Sequence, residues 1–175
     1  LLSDHGFCAI EQEVYINAWL KQEGYLSFTK DPPEGMEDIS PESVAFALDP
    51  ARIYIHRKDR YEKGKVAPEE ADKIASEIKE KLLLLCYHDK KVLEDVKRGE
   101  EVYSGPETGN GPDLVAIGNH GFDLKGSPSA DQVFKRTDLT GMHTWDDAFF
   151  WSLEDQGKDL NITELAEIVT SPIIE

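Results

Sequence analysis

Cysteine is scarce: Cys8 and Cys86 are the only two in 175 residues, and they lie far apart in the chain. That excludes a disulfide framework, so a buried core has to hold the fold together, and a reducing, cytoplasmic setting is the expected one. Long hydrophobic runs are missing as well. The longest, within Lys81 to Cys86, falls far short of the roughly 20 apolar residues of a membrane span, so no membrane partner is expected. Basic residues are few, with 19 Lys and Arg against 35 Asp and Glu and a formal net charge of -16. A surface of that sign repels phosphate backbones and anionic lipid, which excludes nucleic-acid coating. No internal repeat and no low-complexity segment interrupts the chain.

What is present is the composition of a soluble globular protein. Hydrophobic residues make up 39% and charged residues 31%, enough apolar surface for a core. The chain opens Leu1-Leu2-Ser3-Asp4-His5-Gly6. Two aliphatic residues before a polar tripeptide read as the end of a buried strand whose beginning lies upstream, so a truncated protein is expected. Ile16 to Glu23 reads as a helix burying Ile16, Trp19 and Leu20, with Gly24 as its cap and Tyr25 to Phe28 as a following strand. The acidic, Pro-rich stretch from Asp31 to Pro41 marks a loop or insertion.

Farther on, Val44 to Leu48 and Arg52 to His56 alternate as two short strands around Asp49-Pro50. From Pro68, the apolar residues Ala71, Ile74, Ala75, Ile78, Leu82 and Leu85 recur at three- and four-residue steps, predicting an amphipathic helix. Pro112 to Gly118 reads as an interior strand of an α/β sheet, and Ala148 to Leu153 as another. Asn161 and Glu164 form an N-cap pair, with Ile162, Leu165, Ala166 and Val169 on one face of the helix they start.

Two places carry chemistry. Asp4 and His5 stand at an expected strand end, where open α/β sheets place ligand-binding groups, and their oxygen and nitrogen donors suit Zn, Mn or Fe. The competing reading is a turn in which Asp4 caps nearby backbone. His143 precedes an apolar run and can reach the same sheet edge, or serve as a hydrogen-bonded loop residue. Asp146 and Asp147 beside it either orient an imidazole or form a solvated turn. Elsewhere, His56 and His88 read as surface or capping groups, His120 as part of a glycine-flanked turn, and Cys8 as a small buried side chain. Arg52, Arg57 and Arg60 read as a charged hairpin surface, with phosphate contact as the alternative.

These residues also carry a resemblance. Ser3-Asp4-His5-Gly6-Phe7, Ile16-Asn17-Ala18-Trp19-Leu20 with Gly24-Tyr25-Leu26, and Ala47-Leu48-Asp49-Pro50 with Arg52-Ile53-Tyr54-Ile55 follow one another in order. Tyr103-Ser104-Gly105-Pro106, Gly111-Pro112-Asp113-Leu114, Gly121-Phe122-Asp123-Leu124 and Gly141-Met142-His143 before Asp146-Asp147-Ala148-Phe149 complete the series. The series resembles the carboxy-terminal half of type I phosphodiesterase/nucleotide pyrophosphatase-like proteins of the alkaline phosphatase superfamily.

The resemblance implies an α/β fold, a partial alkaline-phosphatase-like sheet flanked by helices. Residues 1–29 and 112–175 then form its core, and 30–111 a peripheral α+β insertion or cap. It implies two divalent metal ions in the intact parent, zinc foremost with manganese as the other choice, with Asp4 and His5 on one ion and His143 on its neighbour. The expected substrate is a phosphate-ester small molecule, a phosphodiester or nucleotide pyrophosphate. The family's Thr or Ser nucleophile and its remaining ligands have no match here, so the missing upstream half of the same protein would supply them, and this chain alone would be inactive. A non-catalytic metal- or partner-binding α/β domain and a superfamily phosphomutase are the alternatives.

Overall fold

The computed structural model describes residues 1–153, 157 and 160–170. In chain order the strands are β1 Gly6–Ala9, β2 Gln12–Tyr15, β3 Ala45–Leu48, β4 Arg52–Ile55, β5 Cys86–Tyr87, β6 Lys90–Lys91, β7 Leu93–Arg98, β8 Leu114–Gly118, β9 Phe122–Lys125, β10 Phe134–Lys135 and β11 Gly141–Thr144. The helices are α1 Ile16–Gln22, α2 Pro68–Leu82, α3 Gly99–Val102 and α4 Leu165–Thr170. This is a mixed α/β protein. Two compact units divide it: Ile10–Thr140, and Leu1–Ala9 together with the described residues from Gly141 onward.

The larger unit holds the core. Its four-stranded sheet runs β3-β4-β8-β7, antiparallel throughout, and a three-stranded sheet runs β10-β2-β9 with β2 and β9 parallel. Helix α2 forms where the periodicity predicts it. Pro68 occupies its first turn, Glu69 and Glu70 face its positive end, and Lys79 and Lys81 its negative end. Ala71, Ala75, Ile78 and Leu82 are buried against a layer containing Ile53, Ile55, Val92, Val96 and Leu114.

Helix α1 buries Ile16, Trp19 and Leu20 and ends before Gly24, whose φ of 79° is the left-handed conformation suited to a helix terminus. Asn17, fully buried on this helix, locks it in place. Its amide nitrogen donates to Ala47 O at 2.9 Å and Gly126 O at 2.6 Å, and its oxygen accepts from Ala47 N at 2.8 Å. One polar side chain thus satisfies three backbone groups that no water reaches.

The hairpin of β3 and β4 also forms as expected. Strand β8 has neighbours on both sides, as an interior strand should, but they are β4 and β7, both antiparallel to it. Other expectations need correction. Tyr25 to Phe28 is no strand: Tyr25 and Leu26 are buried from an irregular segment, and only Phe28 forms a bridge, to Ile39. His56 is not a surface group but is 5% exposed, its Nδ1 3.0 Å from Ser43 O, because β4 carries it inward past the hairpin.

The smaller unit is a two-stranded antiparallel ribbon of β1 and β11, extended by a bridge between Leu2 and Phe150. None of its described apolar side chains is buried. Leu1 and Leu2 are 81% and 48% exposed, so they are not the end of a buried strand. Ala148 to Leu153 is likewise not a buried strand. Its backbone pairs only around Phe150, and Phe149, Trp151 and Leu153 are exposed. Asn161 does cap its turn through Thr163 N, with Glu164 reaching back to Asn161 N. The face expected to follow stays open, with Ile162 and Val169 exposed.

Candidate metal centre

Strand pairing decides where the candidate ligands meet. Phe7 of β1 lies opposite His143 of β11, and Gly6 opposite Thr144. Successive residues of a strand alternate faces, so His5 shares Phe7's side of the ribbon and becomes a diagonal neighbour of His143. The two imidazoles stack with centroids 3.8 Å apart and planes 18° apart. Phe7 stands edge-on to both, at 5.2 Å from His5 and 4.8 Å from His143. Asp4 completes the group, its Oδ1 3.4 Å from His5 Nε2. The three residues singled out in the sequence are therefore linked through His5, which touches both others, and they are open to solvent: the Asp4 side chain is 77% exposed and that of His5 29%.

The donor atoms have defined roles. His5 Nδ1 lies 3.0 Å from Gly6 O, and a carbonyl only accepts, so Nδ1 carries the proton in this contact. In the neutral ring Nε2 then offers a lone pair toward the Asp4 carboxylate. Two acceptors facing each other at 3.4 Å repel unless a cation or proton stands between them. The spacing is also chemically informative, since two donors bound at ~2.1 Å to one tetrahedral ion stand about 3.4 Å apart. The pair fits an ion as two of its ligands. Among the described residues no group of three His, Cys, Asp or Glu side chains is arranged to hold one, so the shell is partial.

Of the two readings of the acidic segment after β11, the solvated turn is the one seen at Asp147, which is exposed. Asp147 accepts a hydrogen bond from the Thr144 hydroxyl, not from an imidazole. Its carboxylate also packs so closely on Gly6 that a Cβ there would collide with it. A side chain at Gly6 would therefore have to displace the exposed Asp147 carboxylate from the turn beside His143. The sequence reading missed Phe7. The signal was available in the period of two, which sets His5 and Phe7 on one face once Gly6-Phe7 is taken as a strand and not as the turn after one. His120 and His88 lie in turns of the other unit, exposed.

A family model for type I phosphodiesterase / nucleotide pyrophosphatase matches residues 1–146. The chain belongs to that family. The matched span includes Asp4, His5 and His143 and ends before Asp147. No curated protein and no solved structure matches the chain. No helix among the described residues is long and apolar enough to cross a membrane.

Proposed function

We propose that this chain is the carboxy-terminal portion of a metal-dependent hydrolase of phosphodiesters or nucleotide pyrophosphates, and that it contributes three ligands to a two-metal centre. The observation that carries the reading is the contact of His5 with both Asp4 and His143, in a member of this family. Asp4 Oδ1 and His5 Nε2 serve one ion. His143 serves its neighbour, because face-to-face rings present their nitrogens side by side and not at one point. The 3.8 Å between the ring centroids suits ions ~4 Å apart. When bound, two divalent ions, zinc or manganese, supply Lewis acidity at phosphorus and offset charge on its oxygens.

The chain's own residues prepare that chemistry. The Gly6 carbonyl fixes the His5 tautomer so that Nε2 is the donor, the kind of outer support that sets ligand basicity. Phe7 packs edge-on against both rings and limits their rotation. A net charge of -16 disfavours a phosphate ester at long range, so substrate binding depends on the cations held here. The attacking hydroxyl and the remaining ligands come from the parent protein outside these residues.

The test is hydrolysis of a chromogenic phosphodiester with added Zn or Mn, by the 175-residue chain and by the chain extended upstream to its natural start. The extended chain should turn over, and His143→Ala should cost it at least ~100-fold, above the effect of most outer-shell partners. The short chain should be silent. Metal-dependent turnover by the short chain, abolished by Asp4→Ala, would refute the partial-site reading. A product that is isomerised substrate instead of hydrolysed ester would point to the phosphomutase.

A further inference from the structure

The larger unit carries a cluster of positive charge that the proposed hydrolase does not use. Arg57, Arg60 and Arg98 line one cavity of about 200 Å³, with side chains only 26%, 15% and 22% exposed. In a chain of net charge -16, three partly buried guanidinium groups around one space ask for a counter-charge. Asp113 is the one carboxylate of the lining that is itself mostly buried, at 15% exposed. It is engaged elsewhere: Oδ2 accepts from Ile55 N at 2.8 Å, while Arg57 and Arg60 each stand 3.9 Å from it, beyond hydrogen-bond range. Of the other two acidic groups at the rim, Asp72 stands 3.5 Å from Arg98 but extends fully into water, and Glu100 is exposed, so both are screened.

The three arginines differ in what they have left to give. Arg60 is braced, donating to Gly111 O and Asn110 O and lying over the rings of Tyr54 and Tyr61. Arg98 donates to Ser76 Oγ and Asp72 O. The Arg57 guanidinium donates no hydrogen bond to any described residue. Its Nε is buried without a partner, and Asp59, 3.3 Å away, lacks the alignment of a hydrogen bond. A buried guanidinium N–H without an acceptor is costly unless something accepts from it.

Beside this cavity lies a second of about 200 Å³, sharing Thr108, Gly111 and Pro112 as a common wall and bounded on its far side by Tyr103. Arg52 Nε donates to the Tyr103 hydroxyl at 3.2 Å and holds the ring in place. We infer that the two cavities form one bipartite site for a phosphorylated small molecule, the phosphate on Arg57 and Arg98 and an apolar or aromatic body against Tyr103 and Pro112. Guanidinium favours phosphate because its planar fork matches two oxygens at once. Arg60 is the fixed wall, and Arg57 is the residue whose donors the ligand completes.

Calorimetric titration of the whole chain with inorganic phosphate, then with a nucleoside monophosphate, tests this, with a chelator present so that the metal centre cannot contribute. Phosphate should bind, and Arg57→Gln should weaken it by about tenfold, the scale of one charge-assisted hydrogen bond. Arg57→Lys, which keeps charge and length, should weaken it less, and it carries the test if the Gln variant does not fold. Glu100→Gln should tighten binding about twofold, while Lys135→Gln, exposed on β10 in the other sheet and outside the lining of either cavity, leaves it unchanged. The nucleoside monophosphate should bind more tightly than phosphate, and Tyr103→Ala should erase only that difference. Equal phosphate affinity in Arg57→Gln and the parent, or no phosphate binding at all, would overturn the site. Equal affinity for the two ligands would overturn its bipartite form.

Discussion

The two units of this chain differ in what holds them together. The Ile10–Thr140 unit buries its apolar residues in a core and satisfies even its buried Asn17 three times over. The ribbon of β1 and β11 carries the candidate ligands and buries no described apolar side chain, and a two-stranded ribbon alone is marginal in water. Ligand groups placed on such an element are held by strand register, ring stacking and one close carboxylate, not by a core.

Substitutions sharpen that contrast. Ile78→Ala, in the fully buried face of α2, should cost about 4 kcal/mol in denaturant unfolding, since it removes three carbons and leaves a cavity. Asn17→Leu should cost about 3 kcal/mol, because it strands the Ala47 N–H and two carbonyls without partners. A loss below ~1 kcal/mol in either would mean that the larger unit is not the stabilising one.

Acid should act on the same unit by a smaller amount. Asp38 is held below the ordinary carboxylate range by the Glu34 N–H and by Lys30, and Glu77 by the Tyr25 hydroxyl and Lys81. A depressed carboxylate stabilises the fold above its unfolded value and loses that contribution as pH falls through the folded one. Melting temperature should therefore fall below about pH 4, and Asp38→Asn with Glu77→Gln should flatten that part of the profile. At the bottom of the scale, His143→Ala should change stability by less than ~0.5 kcal/mol, as for an exposed residue.

The legible parts of this fold are those in which pattern and environment agree. Helix α2 declared itself because its apolar residues share one face, and the β3–β4 hairpin because alternation flanks a turn. Strand β2 was hidden because Gln12 and Glu13 are polar yet buried, Glu13 Oε2 accepting the Thr137 N–H at 2.6 Å. Strand β7 was hidden because Glu94, Asp95 and Lys97 mask the spacing of Leu93 and Val96. The reverse error arose at Ala148 to Leu153, where an apolar run implied burial that the ribbon does not provide. In the candidate site, Asp4, His5 and His143 were named from strand-end chemistry and family resemblance. The stacking of the His5 and His143 rings depends on β1–β11 register, which no local pattern encodes. The arginine cavity was half visible, since Arg57 and Arg60 are neighbours in sequence and Arg98 joins them only through the pairing of β7 with β8 and β8 with β4.

The central claim is that Asp4, His5 and His143 act as one metal-binding group, and the most direct measurement is a zinc titration of the chain followed by NMR of the five histidine side chains. The account predicts that the His5 and His143 resonances shift together at the lowest zinc concentrations, that His5 responds through Nε2, and that Asp4→Asn weakens the response of His5. His56, His88 and His120 should respond later or not at all. Early shifts at His88 or His120, or a His5 response indifferent to Asp4→Asn, would contradict it.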